Sequence, residues 1–122
     1  MLINLSNHPS AKWLDKQKMM ALDSYTYIFD FPFPDVGSQL SEYEIKLLAD
    51  EISEKCLQLI HKSPHAHNAV HIMGELTLCF AIIKNLQQHE IECIASTTER
   101  ITTINGNEKK STFQFQRFRK YL

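Results

Sequence analysis

The stretch VHIMGELTLCF, Val70 to Phe80, runs from a short apolar segment through a glycine and a carboxylate into a second apolar segment. With Ala69 before it, AVHIM reads as a strand, and ELTLCFAIIKNLQQH, Glu75 to His89, reads as a helix whose wide apolar coverage implies deep burial. A strand that turns at one glycine into a buried helix is half of a crossover unit, and crossovers are what parallel strands require. The reading of this stretch therefore selects an α/β fold, and the flanking segments follow the same alternation.

Upstream, MLINLS, Met1 to Ser6, is a strand ended by the turn-rich NHPS, and a helix is predicted from Ser10, its cap, to about Leu22. Tyr25, Tyr27, Phe29, Phe31 and Phe33 alternate along YTYIFDFPF until Pro32 and Pro34 stop it, which predicts a strand toward the sheet edge. Ser41 and Glu44 have capping-box spacing, and Ile45, Leu48, Ala49, Ile52, Cys56, Leu59 and Ile60 then recur at helical intervals. HKSPHAHN is a connector. Downstream, IECIAS, Ile91 to Ser96, is a fourth strand, and ITTI, NGNEKK and STFQFQRFRKY read as an antiparallel hairpin whose loop exceeds two residues. One three-layer α/β domain over residues 1–122 is expected, mostly parallel, with strand order 2-1-3-4 from right-handed crossovers and the hairpin at one edge.

Composition narrows the partners. A formal net charge of −1 supplies no field to draw the whole chain onto DNA or an anionic membrane. No run approaches the ~20 apolar residues of a membrane span, and no signal segment opens the chain. Cys56, Cys79 and Cys93 lie in apolar segments, without CxxC spacing, as reduced core thiols would. A cytoplasmic protein is expected, with no DNA and no membrane among its partners.

In such sheets ligands sit outside the carboxyl ends of the strands, and here those ends are three polar clusters. After the first strand come Ser6, Asn7, His8 and Ser10, short donors and acceptors with one imidazole able to move a proton near neutral pH. After the third come Gly74, which permits close approach, Glu75 and Thr77, at a helix start whose free N–H groups suit an anion. Glu75 reads equally well as a first-turn cap. After the fourth come Ser96, Thr97, Thr98 and Arg100, the last able to grip phosphate or to pair with Glu99 or Glu75. Together they suit a nucleotide or phosphodiester. GxGxxG, GxxxxGK[ST] and GxSxG are all absent. His61, His65 and His67 fall before the third strand, at the end opposite the clusters, so no metal and no cofactor are expected.

The arrangement of SNHPS after the first strand, MGELT after the third and STTER as a further loop resembles the compact Rossmann-like proteins of CRISPR defence. These are the CRISPR-associated Rossmann fold (CARF) domains and their small stand-alone ring nucleases. The resemblance implies a Rossmann-like domain that forms a homodimer and holds a cyclic oligoadenylate, tetra-adenylate being the expected ring, across its interface. It further implies that the protein quenches type III CRISPR signalling by sequestration or by metal-independent cleavage. In that scheme paired copies of Ser6, Asn7, His8, Gly74 and Arg100 surround the ring, a ribose 2′-hydroxyl attacks its neighbouring phosphate, His8 assists proton transfer and Arg100 stabilises the phosphorane. The other polar residues of the three strand ends, Ser10, Glu75, Thr77, Ser96, Thr97 and Thr98, are expected to bind the ligand with them. Two other classes fit the residues: a small nucleotide- or nucleoside-metabolising enzyme that uses Glu75, and a non-catalytic subunit that docks through the aromatic strand or the hairpin.

Overall fold

The computed structural model describes residues 1–122 as β1 (Leu2–Ser6), a 3-10 turn (Ser10–Lys12), α1 (Asp15–Tyr25), β2 (Ile28–Pro32), α2 (Glu42–Lys62), β3 (Ala69–Ile72), α3 (Leu76–Gln88), β4 (Glu92–Asn105) and β5 (Glu108–Lys120). One mixed five-stranded sheet is ordered β2-β1-β3-β4-β5, parallel except for the β4–β5 pair. The expected order 2-1-3-4 thus gains a fifth position. No helix is long and apolar enough to cross a membrane.

Two core clusters divide the α/β layers. Ile3, Leu5, Val70, Ile72 and Cys93 pack with Ala49, Ile52 and Cys56 of α2 and Leu78, Ile82 and Leu86 of α3. On the other face Leu2, Ala69 and Ile94 pack with Trp13, Ala21 and Tyr25. The period-two alternation of the strands produces this partition, since each buried strand must feed both faces. All three cysteines are buried and free, and burial pushes the Cys56 and Cys93 thiols up to about 12.

Local chemistry explains where the elements stop. The capping box forms as expected: Ser41 Oγ accepts from the Glu44 N–H at 3.2 Å and Glu44 Oε1 accepts from the Ser41 N–H at 3.4 Å. Ser10 differs. It caps no helix; its N–H and hydroxyl both donate to Asp30, at 3.0 and 2.8 Å, so Ser10 ties the turn after β1 to β2 instead. The helix accordingly starts at Asp15 and runs to Tyr25, where Thr26 turns the chain at φ 73°.

The C-terminal third departs most from expectation. STTER is no loop: IECIAS and ITTI belong to one strand, β4, because β-branched Thr97, Thr98, Ile101, Thr102, Thr103 and Ile104 carry extended backbone straight through it. The turn is also tighter than expected. Asn105 pairs with Glu108, leaving only Gly106 and Asn107 between the strands, with Gly106 at φ 65°. A glycine at the first central position is the type II′ pattern, whose twist matches paired strands. A bulge between Thr97 and Thr98 opposes Arg117 and Phe115, so Gln116 is the extra residue. Phe118, opposite Ser96, consequently shares a face with Phe115 and Phe113, and Arg117 lies on the other.

Candidate functional site

On the α1 face, the amino-terminal half of the sheet is apolar and the carboxyl-terminal half is polar. Asn4 and Ser6 follow Leu2 at two and four residues, and His71 follows Ala69 and Ser96 follows Ile94 at two. Asn4, Ser6 and His71 are nonetheless buried, His71 to 2% exposure. Such groups must be hydrogen-bonded, and none of the buried side-chain polar atoms lacks a partner.

The bonds form one directed chain. Asn4 Nδ2 donates to the His8 carbonyl at 2.9 Å and to Asp30 Oδ1 at 2.8 Å, which fixes the amide orientation. Asn4 Oδ1 therefore accepts, from Ser6 Oγ at 2.8 Å and from His71 Nδ1 at 2.9 Å. With its proton on Nδ1, His71 presents Nε2 as an acceptor to Ser96 Oγ at 2.7 Å. Gln17 Nε2 of α1 donates to the same Oγ at 2.9 Å. Trp13 and Phe118 meet the imidazole edge-on, with centroids 5.4 and 5.9 Å away. Burial first, and then the neighbouring His8, bring His71 down to about 4. The imidazole is neutral at physiological pH. Burial pushes Asp30 up, but bonds from Asn4 and Ser10 outweigh it and leave the carboxylate below its usual range.

Above this floor lies an open cleft of about 520 Å³, at the carboxyl ends of β1 and β3 where the strand order reverses. Ser6, Asn7 and His8 form one wall, Met73 and Gly74 a second, Trp13, Leu14 and Gln17 a third, and Phe113 and Phe115 of the hairpin a fourth; His71, Ser96 and Thr98 also face it. No carboxylate, ammonium or guanidinium lines it.

Six of the residues predicted from sequence therefore come together: Ser6, Asn7, His8, Gly74, Ser96 and Thr98. Five do not. Ser10 is engaged with Asp30. Glu75 caps α3, its oxygens accepting from the N–H of Thr77 at 3.1 Å and of Leu78 at 2.8 Å, while the Thr77 hydroxyl donates to the same carboxylate. Those bonds, the Thr77 hydroxyl foremost, hold Glu75 below the ordinary carboxylate range, and the helix start is already neutralised by its own side chain. Thr97 points to the other face, where its hydroxyl bonds to the Arg117 backbone. Arg100, opposite Phe113, lies outward along the ribbon and donates to Ser111 Oγ at 3.2 Å.

Gly74 has a packing reason. A Cβ there would approach the Phe33 ring to 2.6 Å, and Phe33 is buried in the larger core. The histidines before β3 are dispersed: His67 Nδ1 meets the Ser24 carbonyl at 3.0 Å and His65 stacks on Tyr27. No group of three His, Cys, Asp or Glu side chains is arranged to hold a metal. Sequence reasoning missed Asn4, Trp13, Gln17 and His71. Polar Asn4 and His71 within otherwise apolar strands were the available signal, because a strand does not bury such groups without partners.

No curated protein and no solved structure matches the chain. A family model does, along residues 1–119, and the chain accordingly belongs to the uncharacterized protein MJ1673 family.

Proposed function

We propose that this protein is a cytoplasmic, Rossmann-like (CARF-like) homodimer that binds a cyclic oligoadenylate, tetra-adenylate foremost, and quenches type III CRISPR signalling by sequestering or cutting the ring. The observation that carries this reading is the cleft itself. It lies at the sheet's switch point and combines a neutral hydrogen-bonding floor with the exposed Phe113 and neighbouring Phe115. Aromatic faces accept bases by stacking, and neutral amides and hydroxyls can read base edges and ribose without repelling phosphate. Since Glu75 occupies the start of α3, the phosphates fall to the Ser6–His8 turn and to Arg100, which lies on the same ribbon face beyond Thr98. Exposed Leu14, Met73, Leu76 and Phe80 beside the cleft support self-association.

The reading that uses Glu75 as an acting carboxylate has no geometric support, because both its oxygens are engaged in the cap and it lies outside the cleft. In the aromatic strand Tyr25 and Phe33 are buried, so docking there would rest on exposed Tyr27 with the partly buried Phe29 and Phe31. Isothermal titration with cyclic tri-, tetra- and hexa-adenylate tests the proposal. Saturable heat with at least one ring is expected, and Arg100→Ala should weaken it about tenfold to a hundredfold, the range of one charge-assisted phosphate contact. Absence of heat and of any mobility shift with all three rings overturns it.

A further inference from the structure

Ser96 differs from the other hydroxyls of the cleft in what stands behind it. Ser96 lines the cleft and its Oγ donates to His71 Nε2 at 2.7 Å, while His71 Nδ1 donates in turn to Asn4 Oδ1 at 2.9 Å. Asn4 is itself locked by the His8 carbonyl and Asp30. Gln17 supplies a donor to Ser96 Oγ, so this hydroxyl's own proton is committed to the imidazole. Trp13 and Phe118 hold the ring plane and shield it. A hydroxyl, a base that accepts from it and a third group that fixes the base's tautomer are the parts of an acid–base relay.

We propose that Ser96, backed by His71 and Asn4, is the group that takes the proton from the attacking ribose 2′-hydroxyl when the ring is cut. This assignment rests on the cyclic-oligoadenylate reading and gives the reaction a base distinct from His8. As the 2′-oxygen bonds to phosphorus, its proton passes to Ser96 Oγ and the serine proton passes to His71 Nε2. The bond from phosphorus to the 5′-oxygen breaks, leaving a 2′,3′-cyclic phosphate. The departing 5′-oxygen takes a proton from solvent and His71 returns its own to solvent through Ser96, so protons and electrons balance without a metal or redox partner. Ser96 meets the ring; His71 and Asn4 act through it as positioning residues.

The test measures binding and single-turnover cleavage of cyclic tetra-adenylate separately for wild type, Ser96→Ala, Ser96→Thr, His71→Asn and the Ser96→Ala/His71→Asn double variant. Asn at position 71 retains a donor for Asn4 but cannot reach Ser96. Ser96→Ala is expected to cleave at least a hundredfold more slowly, the usual span of general acid–base catalysis, a loss well beyond any weakening of its binding. Ser96→Thr, which keeps the hydroxyl, should recover most of the rate. His71→Asn should lose a similar factor, and the double variant should lose no more than either alone, as groups acting in one relay do. Cleavage by Ser96→Ala at the wild-type rate, or multiplied losses in the double variant, overturns the relay and leaves the binding reading standing. Wild type that binds without cutting has the same consequence. Failure of wild type to bind sinks both.

Discussion

His71 shows how one buried residue couples the site to stability. In the unfolded chain it titrates near 6.5 and in the fold near 4, because burial and the neighbouring His8 disfavour its charged form. Between those values the unfolded chain holds a proton that the folded chain lacks, so stability is full above about pH 6.5 and is lost as pH falls toward 4. The difference corresponds to roughly 3 kcal/mol. Urea titrations across this window should show wild type losing stability with a slope steeper by about one proton than His71→Asn, whose side chain does not titrate. Parallel curves would mean that His71 carries its proton in the fold, contrary to the bond directions drawn through Asn4 and Ser96.

At the level of elements, the ends of helices and strands obey local chemistry except at Thr26 and Glu90, two residues other than glycine at positive φ. Glu90 follows α3 at φ 58°, while its N–H donates to the Gln87 carbonyl at 3.0 Å and the Ile91 N–H to that of Leu86 at 3.1 Å. This pair of bonds is the Schellman closure, which favours glycine at the left-handed position. Glu90→Gly is therefore expected to stabilise the protein by about 0.5–1 kcal/mol, read as a higher denaturant midpoint at unchanged slope. An unchanged or lower midpoint would mean that the glutamate side chain compensates for its backbone. The bulge at Thr97 and Thr98 is the opposite case, an irregularity with a clear gain: without it Phe118 would turn away from His71 and Arg117 would face Trp13's side of the sheet.

For the molecule as a whole, exposed apolar side chains occur on several faces, and two of the most exposed lie beside the cleft. Leu76 is 83% exposed and Phe80 66%, flanking a groove of about 380 Å³ that shares Met73 and Gly74 with the cleft. If that side is the dimer surface, sedimentation should find wild type dimeric and a Leu76→Asp/Phe80→Glu variant monomeric, with ring affinity falling at least tenfold. A wild-type monomer that binds the ring would remove the two-fold arrangement and keep the ligand. Much of this architecture was legible in residue order. The VHIMGELTLCF transition, the Ser41 capping box and the repeated strand–helix alternation imposed a parallel α/β core, since local hydrogen bonding and hydrophobic period act within a few residues. The turns after β1 and β3 followed, because connections of that order place them at one sheet end. The facing of the hairpin aromatics did not follow: a one-residue bulge reverses the side-chain phase, and only cross-strand pairing of β4 with β5 sets where it falls. Nor did the Asn4–His71–Ser96 chain, whose members come from three strands; their bonds exist only because parallel register sets Asn4 beside His71 and packing denies both of them water.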